Sequence, residues 1–169
     1  MEILSKADGI VAWDGGRARC AFGPAGVRAD KHEGDGATPA GIFPLRRVLY
    51  RPDRLTRPVT GLPVAALTRH DGWCDDPVNP LYNRQVTLPH PGHCEALWRA
   101  DHVYDVIVIL GHNDDPPVPG RGSAVFLHVA RPAYAATEGC IALALADLLD
   151  LLRHCDAGSR LHIDVGRGG

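Results

Sequence analysis

The sequence lacks the features that define several large classes of protein. Its formal net charge is only −2 over 169 residues, so no broad basic field can hold a nucleic acid by charge. No apolar run approaches the roughly 20 residues of a membrane-spanning helix, and residues 1–16 lack the apolar core of a secretory signal. We therefore expect no nucleic-acid partner, no membrane contact and a cytoplasmic location, or a periplasmic one if a leader has been removed.

A disulfide framework, internal repeats and low-complexity linkers are also missing. The five cysteines form an odd, scattered set, so at least one thiol stays free or pairs outside the chain. A composition of 45% hydrophobic and 22% charged residues is typical of a folded globular protein. The length suits one core, and we expect a single domain over residues 1–169. Nothing in the sequence indicates the oligomeric state.

Short apolar stretches recur between turns that use many of the 14 prolines and 19 glycines. Strands are expected within 41–50, 104–113, 124–130 and 160–165, whereas 70–101 is expected to be irregular. One helix is expected directly after Cys140, because four leucines follow the helical spacing i, i+3, i+4 and i+7; they are Leu145, Leu148, Leu149 and Leu152. This order predicts a mostly β domain, a curled mixed sheet or sandwich, with one main helix.

Cys140 is the candidate nucleophile, because it follows Gly139 and precedes the expected helix. Free N–H groups and the positive end of a helix dipole stabilise a thiolate there, and nearby N–H groups can hold an oxyanion. His128, twelve residues earlier on an expected strand, is the best candidate for a general base, and a Cys–His pair suits acyl transfer. The same residues also fit a buried core cysteine and a core histidine.

Three segments resemble the L,D-transpeptidase (YkuD-like) catalytic-domain family. They are GDGATPAGIFPL at 34–45, FLHVARP at 126–132 and TEGCIAL at 137–143. An upstream Thr-Pro segment, a strand histidine and a Thr-x-Gly-Cys motif follow one another as in that family, and the resemblance covers about residues 30–165. It implies a β-rich sandwich with a helix beside the catalytic cysteine.

The resemblance also implies roles for individual residues. Cys140 corresponds to the nucleophile and His128 to the base, while Gly139 and the N–H of Cys140 correspond to the oxyanion site. Thr137 holds the place usually taken by serine and is expected to contact substrate. The resemblance implies neither a metal nor an organic cofactor.

Three positions depart from the family pattern. Val129 follows the strand histidine where glycine is frequent, Glu138 stands where histidine is frequent, and Ala142 replaces an arginine or asparagine. Because of the last departure, the sequence does not identify the residue that anchors the substrate. Arg121 and Arg131 are candidates, because a guanidinium donates two parallel hydrogen bonds to a carboxylate.

Members of this family attack the bond between the third residue of a peptidoglycan stem peptide, usually meso-diaminopimelate, and D-alanine. An amine acceptor then gives a 3–3 cross-link, whereas water gives an L,D-carboxypeptidase that trims tetrapeptide to tripeptide. Because the chain shows neither an export signal nor a wall-binding module, we expect a cytoplasmic murein-tetrapeptide carboxypeptidase of cell-wall recycling. The alternatives are an L,D-transpeptidase and, in a different class, a non-catalytic peptidoglycan-binding domain.

Further polar residues are candidates for the substrate cleft. His112 and Asn113 end the strand before the one that carries His128, where they can line the cleft or simply form a turn. Trp73 and Tyr82 belong to a segment that is either a lid over the cleft or a self-packed loop.

The HPGHC stretch raises the question of a metal site. It contains His90, His93 and Cys94, and Cys74 is a possible further ligand. The stretch lacks the second ligand pair of the usual zinc patterns, so the sequence predicts no metal site.

Overall fold

Fourteen β-strands make up most of the regular structure in the computed structural model, which describes residues 1–165 of the chain. In chain order they are β1 (Glu2–Lys6), β2 (Ile10–Trp13), β3 (Gly16–Ala21), β4 (Val27–Arg28), β5 (Thr38–Pro39), β6 (Gly41–Tyr50), β7 (Val64–Ala66), β8 (Asp71–Cys74), β9 (Arg84–Thr87), β10 (Cys94–Ala96), β11 (Val106–Leu110), β12 (Phe126–Val129), β13 (Ile141–Leu143) and β14 (Arg160–Asp164). The described residues contain one α-helix, α1 (Leu145–Arg153), and a short 3-10 turn at Pro132–Tyr134.

Nine of the strands form one mixed sheet in the order β11-β12-β13-β3-β2-β1-β14-β6-β7. Parallel pairs join β1 to β14, β6 to β7 and β12 to β13, and the other neighbours are antiparallel. Strand β11 also pairs with β6, so the sheet curls until it closes on itself. This confirms the expectation of a mostly β fold with a curled mixed sheet and one helix.

The closure depends on the length of β6. Over its first half it pairs with β14, where Phe43 lies opposite Leu161, and over its second half it pairs with β11, where Val48 lies opposite Val108. A strand of ten residues is long enough to belong to both parts of the sheet. All five residues of β11 are buried, because an apolar core covers each face of the strand.

Two apolar cores lie on opposite faces of β11 and β12, because successive side chains of a strand point to opposite faces. The main core receives Val108 and Leu127, together with the helix. The second core consists of Leu49, Leu67, Trp73, Leu97, Val103, Tyr104, Ile107, Ile109, Phe126 and Cys140. Cys140 is thus placed on the face of the sheet that the helix does not cover.

Helix α1 packs on the main core through a leucine stripe. Leu148, Leu151 and Leu152 are fully buried, and Leu145 and Leu149 are partly buried against the same core. Burying a leucine side chain stabilises a fold by about 1.5–3 kcal/mol, so the stripe explains why this segment is helical. The helix is too short and too polar to cross a membrane, and the described residues contain no other α-helix.

Residues 70–101 contain a small second sheet, so the prediction of an irregular segment is wrong for 71–74, 84–87 and 94–96 and holds for the connections between them. Its strand order is β10-β8-β9, with Cys74 opposite Cys94 and Trp73 opposite Glu95. Strands of three or four residues show too few alternations for a pattern to be recognised. Their stability comes from pairing with each other and from packing of Trp73 on Phe126.

Candidate active site

Cys140 does not lie at a helix N-terminus, so that prediction is wrong. Strand β13 (Ile141–Leu143) separates it from α1, which begins at Leu145. The effect of a helix dipole falls off within the first turn, and α1 therefore cannot activate the thiol. Instead, parallel pairing of β13 with β12, in which Ile141 lies opposite Leu127, places Cys140 level with Phe126.

Backbone groups of β12 and of the residues before it surround the Cys140 thiol. The Sγ donates to the carbonyl oxygen of Ala124 at 3.1 Å, and the N–H of Phe126 donates to the Sγ at 3.4 Å. Burial raises the pKa of Cys140 to about 12; the bond from Phe126 opposes this rise, and the charge of Glu95 adds to it. At neutral pH the resting side chain is therefore a thiol and not a thiolate.

The turn before Cys140 is held by Thr137. Its Oγ1 accepts from the N–H of Gly139 at 3.1 Å and donates to the carbonyl oxygen of Cys140 at 2.7 Å. The Thr137 hydroxyl, predicted to contact substrate, is thus already occupied by the backbone. The Gly139 N–H, predicted at the oxyanion site, is occupied as well, which leaves the Cys140 N–H as the candidate donor to an oxyanion.

The upstream Thr-Pro segment supports the same turn. Thr38 is fully buried, and its Oγ1 accepts from the N–H of Gly23 at 3.0 Å and donates to the carbonyl oxygen of Cys140 at 3.3 Å. A residue about a hundred positions away in the chain therefore fixes the backbone of Cys140.

Replacing Gly139 with alanine is expected to lower the free energy of unfolding by roughly 2–4 kcal/mol. Gly139 has a φ of +125°, and a Cβ there would lie 2.7 Å from the carbonyl oxygen of Ala37. A loss of this size lowers the melting temperature by roughly 5–15 °C in a chain of this length. Gly26→Ala is the matched control for thermal denaturation, because Gly26 also has a positive φ, +74°, but has open space around its Cβ position. Equal shifts in the two variants would contradict the steric explanation.

His128 lies on the same face of the sheet as Cys140. It is opposite Ala142 in the β12–β13 pair, one strand repeat of about 6–7 Å beyond the level of Cys140. Its Nδ1 donates to the carbonyl oxygen of Val129 at 2.9 Å, and a carbonyl can only accept. The other nitrogen, Nε2, therefore carries the free lone pair that a general base needs.

The pKa of His128 is lowered to about 4, mainly by burial; the bond to Val129 opposes the decrease, and the positive charges of Arg131 and Arg99 contribute to it. The imidazole is therefore neutral at pH 7. Its ring packs edge-on against Tyr104 at a centroid distance of 5.5 Å, which restricts its orientation.

Cys140 opens onto a cavity of about 400 Å³ that carries an excess of carboxylates. Four acidic side chains and one lysine line it, and these are Glu33, Asp75, Glu95, Glu138 and Lys31. The lysine ammonium is already paired, since its Nζ donates to Asp35 at 2.5 Å. The cavity therefore favours a ligand with a positively charged group.

Glu95 and Tyr104 are site residues that sequence reasoning missed. The Tyr104 hydroxyl donates to Glu95 at 2.6 Å, and both residues line the cavity beside Cys140. Burial raises the pKa of Glu95. No sequence signal marks Glu95, because its place depends on the pairing of β10 with β8.

Three residues predicted to bind substrate, the two at the end of β11 and the candidate anchor Arg121, lie beside this cavity and not in it. His112, Asn113 and Arg121 line a neighbouring groove. The Nε2 of His112 donates to the carbonyl oxygen of Arg121 at 3.1 Å, and the Asn113 amide bonds to the backbone of Val118 and Gly122. These hydrogen bonds hold the loop after β11, and none of them involves His128.

Arg131 is engaged with its own loop. Its guanidinium donates to the carbonyl oxygen of Ala136 at 3.1 Å, and it is not among the residues that line the cavity. Lys31 is the one basic side chain among the described residues that line the cavity.

Trp73 and Tyr82 are buried supports of the site. Trp73 packs edge-on against Phe126 at 5.0 Å between ring centroids. The Tyr82 hydroxyl donates to the carboxylate of Glu33 and accepts from the N–H of Gly122 at 3.1 Å. Neither side chain lines the cavity, so the structure places them beneath it and not over it as a lid.

Asn83 is a third residue that sequence reasoning missed. It is buried, has a φ of +56°, and its side chain makes four hydrogen bonds. Its Oδ1 accepts from the indole of Trp73 at 2.9 Å and from the N–H of Ala124 at 3.1 Å. Because the carbonyl oxygen of Ala124 accepts a hydrogen bond from the Cys140 thiol, Asn83 supports the residue that holds this thiol.

Comparison with known proteins identifies one family. The model of the YkuD family, described as the L,D-transpeptidase catalytic domain, matches residues 4–163. No curated protein sequence matches the chain. Among solved structures, the helical cell shape determining protein Pgp2 from Campylobacter jejuni is similar with a TM-score of 0.43 and 16% identity, over 99% of this chain and 48% of that chain. A point mutant of Pgp2 gives a TM-score of 0.41 at the same identity, over 47% of its chain. The chain thus spans about half the length of Pgp2, and the family assignment rests on the family model.

Proposed function

The chain belongs to the L,D-transpeptidase catalytic-domain family, and on that premise we propose that it is a cysteine acyltransferase that hydrolyses the L,D bond of murein tetrapeptides. The observation that carries the proposal is the placement of a cavity-lining thiol and a neutral, oriented imidazole on one face of the sheet. A peptidoglycan stem peptide or fragment is the proposed partner.

In the first step the Sγ of Cys140 attacks the carbonyl carbon between the third residue and D-alanine. The thiol proton passes to the Nε2 of His128 as the carbon–sulfur bond forms, and the carbonyl oxygen takes the negative charge. Collapse of this intermediate breaks the carbon–nitrogen bond, and His128 returns the proton to the departing nitrogen of D-alanine. A thioester on Cys140 remains.

Water completes the reaction. His128 takes a proton from the water as its oxygen attacks the thioester carbonyl, and the released thiolate takes that proton back. The products are a tripeptide and the free enzyme. An amine in place of water would give a cross-linked peptide, which is the transpeptidase alternative.

The resting contacts require one local movement before the first step. The thiol donates to Ala124, which lies two residues before Phe126, whereas His128 lies two residues after it. The Cys140 side chain therefore rotates away from Ala124 and towards His128 when substrate binds. Catalytic hydrogen bonds are often long in the absence of substrate and tighten in the reacting complex.

The charges of the cavity support a substrate that carries an ammonium group. We place the side-chain ammonium of a diaminopimelate residue against Asp75, Glu95 and Glu138. The D-alanine carboxylate is placed towards Lys31, because an ammonium has three N–H donors and can bind a second carboxylate beside Asp35. A cavity of about 400 Å³ lies at the small end of the ligand-site range. It suits the end of one peptide better than two peptides at once, and this favours water as acceptor. The cytoplasmic location stays a prediction.

The experiment that tests this function is mass spectrometry of the protein incubated with murein tetrapeptide, with and without an excess of a second stem peptide as amine donor. We expect tripeptide and free D-alanine under both conditions. A peptide dimer in the second condition would instead support the transpeptidase. Absence of tripeptide and dimer would contradict both enzymes and support a non-catalytic binding domain.

A further inference from the structure

The second sheet brings together two thiols and an imidazole on residues that the proposed function does not use. Cys74 ends β8, Cys94 begins β10, and the two are direct partners in the antiparallel pair. His90 lies in the connection between β9 and β10. One ligand atom from each of Cys74, His90 and Cys94 can be chosen so that all three lie within 4.8 Å of one another.

The His90 ring carries a buried nitrogen without a partner among the residues that the structure describes. Its Nε2 is buried and makes no hydrogen bond, although an unpaired buried polar atom costs about 1–3 kcal/mol. His93, three residues later in the HPGHC stretch, behaves differently, because its Nδ1 bonds to Asp75 at 2.5 Å. The fold thus selects His90 for the cluster and gives His93 another partner.

From this juxtaposition we propose that Cys74, His90 and Cys94 form a binding site for a zinc-type divalent ion. Two thiolates and one imidazole are ligands that zinc prefers, and a tetrahedral ion has room for a fourth ligand such as water. In a tetrahedral zinc site the ligand atoms are about 3.5–3.8 Å apart, so the three groups, which lie within 4.8 Å of one another, need to approach by about 1.3 Å at most. Binding releases one proton from each thiol to solvent.

The site lies directly behind the acidic wall of the Cys140 cavity. Cys74 is followed by Asp75 and Cys94 by Glu95, and both carboxylates line the cavity. Neighbouring side chains in extended backbone point in opposite directions, so the thiols face away from the cavity. A bound ion would clamp these two chain segments together and hold both carboxylates in place. The inference rests on this geometry and holds whether or not the proposed reaction is correct.

Metal binding is tested on the reduced full-length protein. Cobalt(II), which gives a thiolate charge-transfer absorption when bound by cysteine, is titrated into the metal-free protein, and zinc content is measured after dialysis. We expect about one equivalent of metal per chain. His90→Ala and Cys94→Ser are each expected to weaken binding at least tenfold, as loss of a ligand does, whereas the matched control His93→Ala retains it.

The proposal is overturned if the wild-type protein binds neither ion, or if His90→Ala binds as well as His93→Ala does. It is also overturned if thiol counting and intact mass of the protein, purified without reductant, show Cys74 and Cys94 joined in a disulfide that persists when zinc and reductant are supplied. Wild-type stoichiometry and the cobalt spectrum decide the question even if one variant fails to fold. None of these measurements depends on tripeptide release, so failure of the metal site and failure of the proposed reaction can be told apart.

Discussion

Cys140→Ala is expected to abolish tripeptide formation from murein tetrapeptide, lowering the rate by about 10⁴-fold or more. Alanine has no group that can form the thioester, and no other thiol lines the cavity. The fold should survive, because the variant loses only the weak bonds of the thiol to Ala124 and Phe126. The measurement is tripeptide release by mass spectrometry, together with the melting temperature.

The matched control for this variant is Cys155→Ala. Cys155 is also a buried thiol that donates to a backbone carbonyl, that of Leu151, but it lies in the main core on the other face of the sheet. We expect Cys155→Ala to retain activity close to that of the wild-type protein. Tripeptide release by Cys140→Ala at the wild-type rate would show that Cys140 is a core residue and not the nucleophile.

His128→Gln is expected to lower kcat/KM by about 10²–10⁴-fold, the usual range for loss of a general base. Glutamine has a similar size and can still donate to the carbonyl oxygen of Val129, but its amide does not take up a proton at neutral pH. The edge-on packing on Tyr104 is the other contact at risk. His154→Gln serves as the control, because His154 is exposed at the C-terminus of α1.

The pH dependence provides an independent check on the same residue. A general base works only when it is neutral, so activity is lost as the pH falls through its pKa. Since burial lowers the pKa of His128 to about 4, kcat/KM should stay high from pH 7 down to about pH 5 and fall below that. The groups around the ring are Tyr104, Arg99 and Arg131, with Asp101 opposing the two arginines. An acid limb near the ordinary histidine value of about 6.5 would show that the reacting imidazole is solvated and not buried.

Local sequence patterns were sufficient for the longer strands, for the existence of one helix and for the choice of the candidate pair. The buried run in β11 and the leucine stripe of α1 repeat often enough to define their elements. The motifs around Cys140 and His128 carry the family resemblance, and the family model that matches residues 4–163 confirms it. These features depend on residues that are close together in the chain, and such local patterns can be recognised directly in the sequence.

The surroundings of the pair were decided by long-range pairing. Ile141–Leu143 is as apolar as a helical turn, and only its pairing with β12 makes it a strand and separates Cys140 from α1. In the same way, the pairing of β8 with β10 brings Glu95 to the cavity and Cys94 to Cys74. Strands of three or four residues are too short for their alternation to be recognised in the sequence. Their register, and hence which side chains meet, follows from hydrogen bonding and packing between distant segments, and only the folded chain contains that information.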